Sequence, residues 1–146
     1  MKLRQRLATG LLLALACLLP ISALADSAEA IADDAIVQMD RMATALLTVK
    51  DKESAEKAVT ELMAIAGDLK KIAARAKTAA TPTPEEKAKV LAKMQAKSLE
   101  IKNRLGQAKE QLAKAGLEAA AVLGKGMMEF GRAMQEVGQA FEAADK

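Results

Sequence analysis

Histidine is absent from all 146 residues, and the single cysteine, Cys17, lies near the start of the chain. With them go the commonest general base, the thiol nucleophile and the usual zinc ligands. Haem-binding and di-iron helical bundles depend on histidine ligands, so their chemistry does not transfer. Tryptophan and tyrosine are also missing, and the only aromatic residues are Phe130 and Phe141. A nucleic-acid binder needs stacking rings and a basic excess. Proline is scarce: beyond the first 25 residues it occurs only at Pro82 and Pro84. No glycine-rich loop follows a strand-like segment, so phosphate cradles of that type are not expected.

The beginning of the chain has a different character from the rest. Lys2, Arg4 and Arg6 precede an apolar run from Leu7 to Leu19, and Ala23-Leu24-Ala25 supplies a small-x-small cleavage site before Asp26. This three-part order is that of a secretory signal peptide, too short in its apolar part for a comfortable membrane span. Residues 1–25 are therefore expected to be removed, leaving a single domain over 26–146 in the periplasm or outside the cell. Lipid attachment at Cys17 is the competing reading. It is disfavoured because Ala14 stands where such signals usually carry leucine and because Leu18-Leu19-Pro20-Ile21 stays apolar. Without Lys2, Arg4 and Arg6 the 22 basic residues fall to 19, which balances the 19 acidic ones. Nucleic acid is not an expected partner of a neutral chain, and neither is a membrane surface unless Cys17 is lipidated.

What is present in quantity is Ala, Leu, Lys, Glu and Met, all strong helix formers. The spacing predicts an all-α chain with four helices over 27–49, 54–80, 84–115 and 117–144. The first carries an apolar seam at Ala28, Ala32, Ala35, Met39, Met42, Leu46 and Val49, and the second at Ala55, Val59, Leu62, Ala66, Leu69, Ala73 and Ala76. Asp51 or Ser54 can cap the second helix. Thr83, Pro84 and Glu86 form the best-marked start, a capping box with proline in the first helical turn. The third seam runs Leu91, Met94, Ser98, Ile101, Leu105, Ala108, Leu112 and Ala115, with the Ser98 hydroxyl free to bond back to a carbonyl one turn earlier. At Gly116 the register slips by one, and a new seam runs Ala120, Leu123, Met127, Phe130, Met134, Val137 and Phe141. This is read as a fourth helix, with a single long third helix carrying a skip as the competing reading. Sustained 3-4 spacing with short connections predicts an antiparallel helical bundle, three long helices followed by a glycine-rich one. Segment charges of −4 for 26–49, +2 for 50–83, +4 for 84–115 and −2 for 116–146 suit acidic helices lying against basic ones.

Few patterns suggest chemistry. Asp26, Glu29, Asp33, Asp34 and Asp40 crowd the first helix, where negative charge near an N-terminus is ordinarily a solvated face. Lys89, Lys93 and Lys97 repeat every four residues on the third helix, facing the acidic helix, a negative surface or water. Met39, Met42, Met94, Met127 and Met134 fall on seams, which favours core filling over Cu(I) binding. The last segment departs most from an ordinary bundle. Gly124, Gly131 and Gly138 recur every seven residues on one shoulder of its seam, and Ala119, Gly126, Ala133 and Ala140 on the other. Each helical glycine costs about 0.5–1 kcal/mol relative to alanine, so bare shoulders suggest close approach of another helix. The first expectation is a helix of the chain's own bundle, then one of a second copy or another exported protein. A membrane surface is least favoured because the segment is net negative.

The stretch from Leu46 to Ala55 with the Leu62/Leu69 seam and Thr83-Pro84-Glu85-Glu86 resembles a group of small uncharacterised bacterial exported proteins with a VKDxxSAxxAxxxL helix start. The resemblance covers residues 40–105, rests on capping and seam residues, and implies an exported helical protein with no activity to carry over.

The reading is of a non-enzymatic exported protein that acts by protein contact or self-association through its C-terminal helix. The contact residues expected are Gly124, Met127, Phe130, Gly131, Met134, Gly138 and Phe141, with no cofactor and no metal, and with a second copy or another exported protein as partner. The alternative is a periplasmic carrier of a small apolar ligand or a soft metal.

Overall fold

A computed structural model describes residues 27–143, and the signal-like segment and Cys17 lie outside them. Four helices occupy nearly all of that span: α1 (Ala28–Leu47), α2 (Lys52–Thr78), α3 (Pro84–Ala115) and α4 (Leu117–Ala143). Each boundary has a local cause. The Ser27 hydroxyl accepts from the Ala30 amide to start α1. Asp51 caps α2, its carboxylate accepting from the Ser54 amide while the Ser54 hydroxyl oxygen accepts from the Asp51 amide. Thr83 and Glu86 form the same reciprocal pair at α3, with Pro84 opening the helix. Gly116, at φ 91°, ends α3 in a conformation that disfavours any side chain, and α4 begins at the next residue. The register slip at this glycine is thus a real corner between two helices.

The helices alternate in direction and form an all-α bundle, but sequence neighbours are not its closest pairs. Lys93 reaches Glu29 and Asp33, and Arg104 reaches Asp40, so the same step along α3 and α1 leads from one contact to the next. These two helices therefore run parallel, side by side. Gly126 lies against Leu62 and Val59, about as far into α4 as those residues are into α2, so α2 and α4 are also parallel. The α2–α4 contact is the most extensive in the molecule, and the α3–α4 contact is the weakest of the four main ones. The bundle is an α1–α2 hairpin with α3 laid along α1 and α4 along α2, open where α3 and α4 should close the ring.

The core follows from this arrangement. Ile31, Val49, Leu62, Ile65, Leu69 and Leu123 are completely or almost completely buried, and the α2 seam is covered along its whole length. α3 contributes only Ile101 and Ala108 as fully buried residues. The third seam departs from expectation in its first half, where Leu91 is 60% and Met94 39% exposed. The Ser98 hydroxyl does donate to the Gln95 carbonyl, at 2.9 Å. A seam predicts an apolar stripe on a helix; it takes a facing helix to bury the stripe, and α4 stands too far away.

Candidate functional site

The contact between α2 and α4 decides where the expected contact residues go. α4 buries Ala119, Leu123, Gly126, Phe130, Ala133, Val137 and Ala140. Leu123, Phe130 and Val137 belong to the expected seam, but its other side is the small-residue shoulder, one residue round from Met127, Met134 and Phe141. Physical cause lies in the alanines of α2, Ala55, Ala58, Ala66, Ala73 and Ala76, which let a second small-residue stripe come close and bury more backbone than bulky pairs would. Gly126 is the tightest point. A Cβ there would stand 3.1 Å from Leu62 Cδ1 and 3.4 Å from Val59 Cα.

The expected contact face is consequently divided. Phe130 is buried in the protein's own core, and Met134 and Phe141 pack half-buried against it. Met127 is 39% exposed, and its neighbour Met128, which the seam omitted, is 60% exposed. Gly124, Gly131 and Gly138 are exposed, and a Cβ on any of them would meet nothing within 4 Å. Among the described residues, these three glycines serve no close approach.

Between α3 and α4 the open side holds two apolar hollows. The larger, of about 470 Å³, is lined mainly by Ala28, Pro82, Val90, Leu91, Met94 and Phe141, with Gly138 on its α4 wall. The smaller, of about 210 Å³, lies nearer Gly116 against Leu46, Leu105, Leu112, Leu123 and Met127. Together they form one apolar edge with charge only at its margins, where Lys87 and Lys109 stand on the α3 side and Glu142 on the α4 side.

Charges elsewhere are engaged in holding helices together. The Arg41 guanidinium donates to Glu61 Oε1 from Nη2 at 2.6 Å, to Asp68 Oδ2 at 3.1 Å and to Gln38 Oε1 at 2.8 Å. Hydrogen bonding to Glu61, opposed by some desolvation, raises its pKa further and keeps it charged. It spans α1 and α2 as a strut with its donors committed. Asp34 accepts from Arg75 Nη1 at 2.6 Å, while Asp40 and Thr44 accept from Arg104. The acidic crowd on α1 is thus a two-sided ion-pair seam, against α2 on one flank and α3 on the other. Lys93 joins it, its pKa raised by Asp33 and then Glu29, whereas Lys89 pairs with Glu85 and Lys97 with Glu100 on their own helix. Sequence reasoning paired acidic with basic segments but did not single out Arg41, Arg75 or Arg104, because the partner of an arginine lies on another helix and is invisible along one.

Among the described residues, no three acidic side chains gather as they would around a metal ion. Of the methionines, Met42 is fully buried; Met39 and Met134 are half-buried; Met63, Met94, Met127 and Met128 are exposed. Core filling therefore accounts for fewer of them than their seam positions suggest, and the exposed ones are concentrated on α3 and α4. No described helix is long and apolar enough to cross a membrane. Searches of protein-family models, curated proteins and solved structures give no match to this chain.

Proposed function

We propose that this is a non-enzymatic exported protein that works by protein contact, with the α3–α4 edge as its contact surface. The observation that carries the reading is a pair of helices joined through one glycine yet barely touching, with Leu91, Met94 and Met127 exposed along their open side. Scattered apolar residues on a surface are ordinary, but a contiguous apolar edge marks an interaction site. Gly138 lines the larger hollow, and Gly124 and Gly131 continue its heptad stripe along α4, a strip without side chains that another helix can approach closely. The lack of histidine anywhere, and of cysteine after residue 17, supports contact over catalysis. The signal-like Lys2–Ala25 segment supports export, and the N-terminal residue of the processed protein, expected to be Asp26, checks that part.

Methionine oxidation tests the contact itself, because sulfoxide formation tracks exposure. Met94 and Met127 should react more slowly in native extract than in dilute purified protein. Met63 and Met128, 43% and 60% exposed and outside both hollows of the edge, should react alike in the two. Equal reactivity at all four sites would remove the edge as a contact surface. The 470 Å³ hollow favours a second reading, a carrier of a small apolar molecule, since ligand sites run to about 300–1,000 Å³ and are mostly apolar. Displacement of an apolar fluorescent dye by extracted small molecules, with Met127 remaining reactive, would favour the carrier.

A further inference from the structure

We propose that the occupant of the α3–α4 edge is a second copy of this chain, in a two-fold dimer whose axis runs along the helices and in which α4 of each copy lies in the α3–α4 groove of the other. The inference rests on the reading of that edge as a contact surface and adds the partner and its orientation.

Size, charge and precedent within the fold each support it. The edge is about 40 Å long, the length of the 27-residue α4, and two helices wide at about 10 Å each. That is about 800 Å², which is what one partner contributes to a standard interface. A two-fold axis along the helices brings the incoming α4 antiparallel to α3 and parallel to the resident α4. The segment 84–115 carries +4 and the segment 116–146 carries −2, so α3 meets a helix of opposite sign. An axis across the helices would instead set α3, at +4, against a second α3 and lose that attraction. Among the described residues, Lys102, Lys109 and Lys114 of α3 and Glu118, Glu136 and Glu142 of α4 have no ion-pair partner, against the opposite-sign Glu110 on α3 and Lys125 on α4.

The precedent is the α2–α4 contact. There a heptad of small residues, Ala119, Gly126, Ala133 and Ala140, seats α4 against a parallel helix at close range. Gly124, Gly131 and Gly138 repeat the same heptad on the open side, where none of the described residues uses them. A parallel α4 from a second copy would meet that strip as α2 meets the first. Each of these exposed glycines weakens the helix relative to alanine, and close helix–helix approach in the dimer gives that cost a structural return.

The test uses the processed protein recovered from its own compartment. Sedimentation across a concentration series should show a monomer–dimer equilibrium. Gly131→Leu should weaken it at least tenfold without lowering the melting temperature measured at dilution, because the position is open in the single chain. Two single-cysteine variants report the orientation. Gly124→Cys and Gly138→Cys should each form a disulfide with its own kind, at the same height on parallel helices, and no excess of mixed product should form when the two are combined. Cross-linking confined to the mixture would mean antiparallel α4 helices and overturn the proposed axis. A monomer at every concentration, or an undiminished Gly131→Leu dimer, would overturn the second copy. If Met127 is nonetheless shielded in native extract, the contact surface stands with another partner; if it is shielded nowhere, both readings fall.

Discussion

Two kinds of glycine sit on α4, and only their surroundings tell them apart. Gly126 lies where a Cβ would meet Leu62 Cδ1 and Cβ and the backbone of Val59, so a larger residue must push the two helices apart. Gly126→Leu should therefore lose at least about 1–3 kcal/mol through overpacking. Gly67, in the middle of α2, faces open space, and Gly67→Ala should gain about 0.5–1 kcal/mol because alanine restricts the unfolded chain and favours the helix. Chemical denaturation of both variants checks the pair; equal effects would mean that α2 and α4 are not in close contact. Along the sequence both glycines look alike, since burial depends on a helix some sixty residues away. The corner at Gly116 was more legible, because a seam that slips by one residue must break or turn, and a positive φ there suits glycine.

Helices differ in how much of their own stripe they bury. α2 is covered from Ala55 to Ala76, whereas the first half of α3 leaves Leu91, Met94 and Leu99 at 60%, 39% and 64% exposure. Local opening costs less where few apolar contacts are broken. Backbone amides in 87–99 should accordingly exchange with solvent much faster than those in 58–76, as amide hydrogen exchange followed by mass spectrometry would show. Comparable protection in both would mean that the open edge is covered even in the dilute chain. Leu69→Ala, in the fully buried stripe of α2, should cost about 2–5 kcal/mol, several times the cost of Leu91→Ala. Boundaries were the most readable feature at this scale. Ser27, the Asp51–Ser54 pair and the Thr83–Glu86 box satisfy end amides with neighbouring side chains, and such bonds reach no further than one turn.

The molecule as a whole is held by apolar packing and by ion pairs between helices, with no histidine to titrate near neutrality. Its melting temperature should therefore be nearly flat between about pH 5 and pH 9. On the acid side, Asp51 is held below the usual carboxylate range by the Ser54 side chain and amide, Asp68 by Lys71 and Arg41, and Glu86 by the Thr83 amide and hydroxyl. A carboxyl more acidic in the fold than in the unfolded chain adds stability above its unfolded pKa, near 4, and that stability is lost as pH falls through the folded value. Stability should thus decline from about pH 4 downward. Lys57, Lys93 and Lys97 are raised by Glu53, by Asp33 and Glu29, and by Glu100, so their contribution is complete below about pH 10 and is lost as pH rises through the folded values. A transition centred near pH 6–7 in a pH series of thermal melts would contradict this account.

Local signals in the chain determined that it is all-helical, where three of the four helices start, that the apolar register changes at Gly116, and which residues form the α1 and α2 stripes. These follow from capping bonds, backbone freedom and 3.6-residue periodicity, all of which act within a few residues. The tertiary structure alone decided that the parallel pairs α1–α3 and α2–α4 carry the packing, that α4 turns its alanine shoulder inward, and that Met127 and the three heptad glycines are left on an open edge. Both shoulders of α4 are small and equally spaced, so periodicity could not choose between them. The alanines of α2, meeting one shoulder at close range, made the choice.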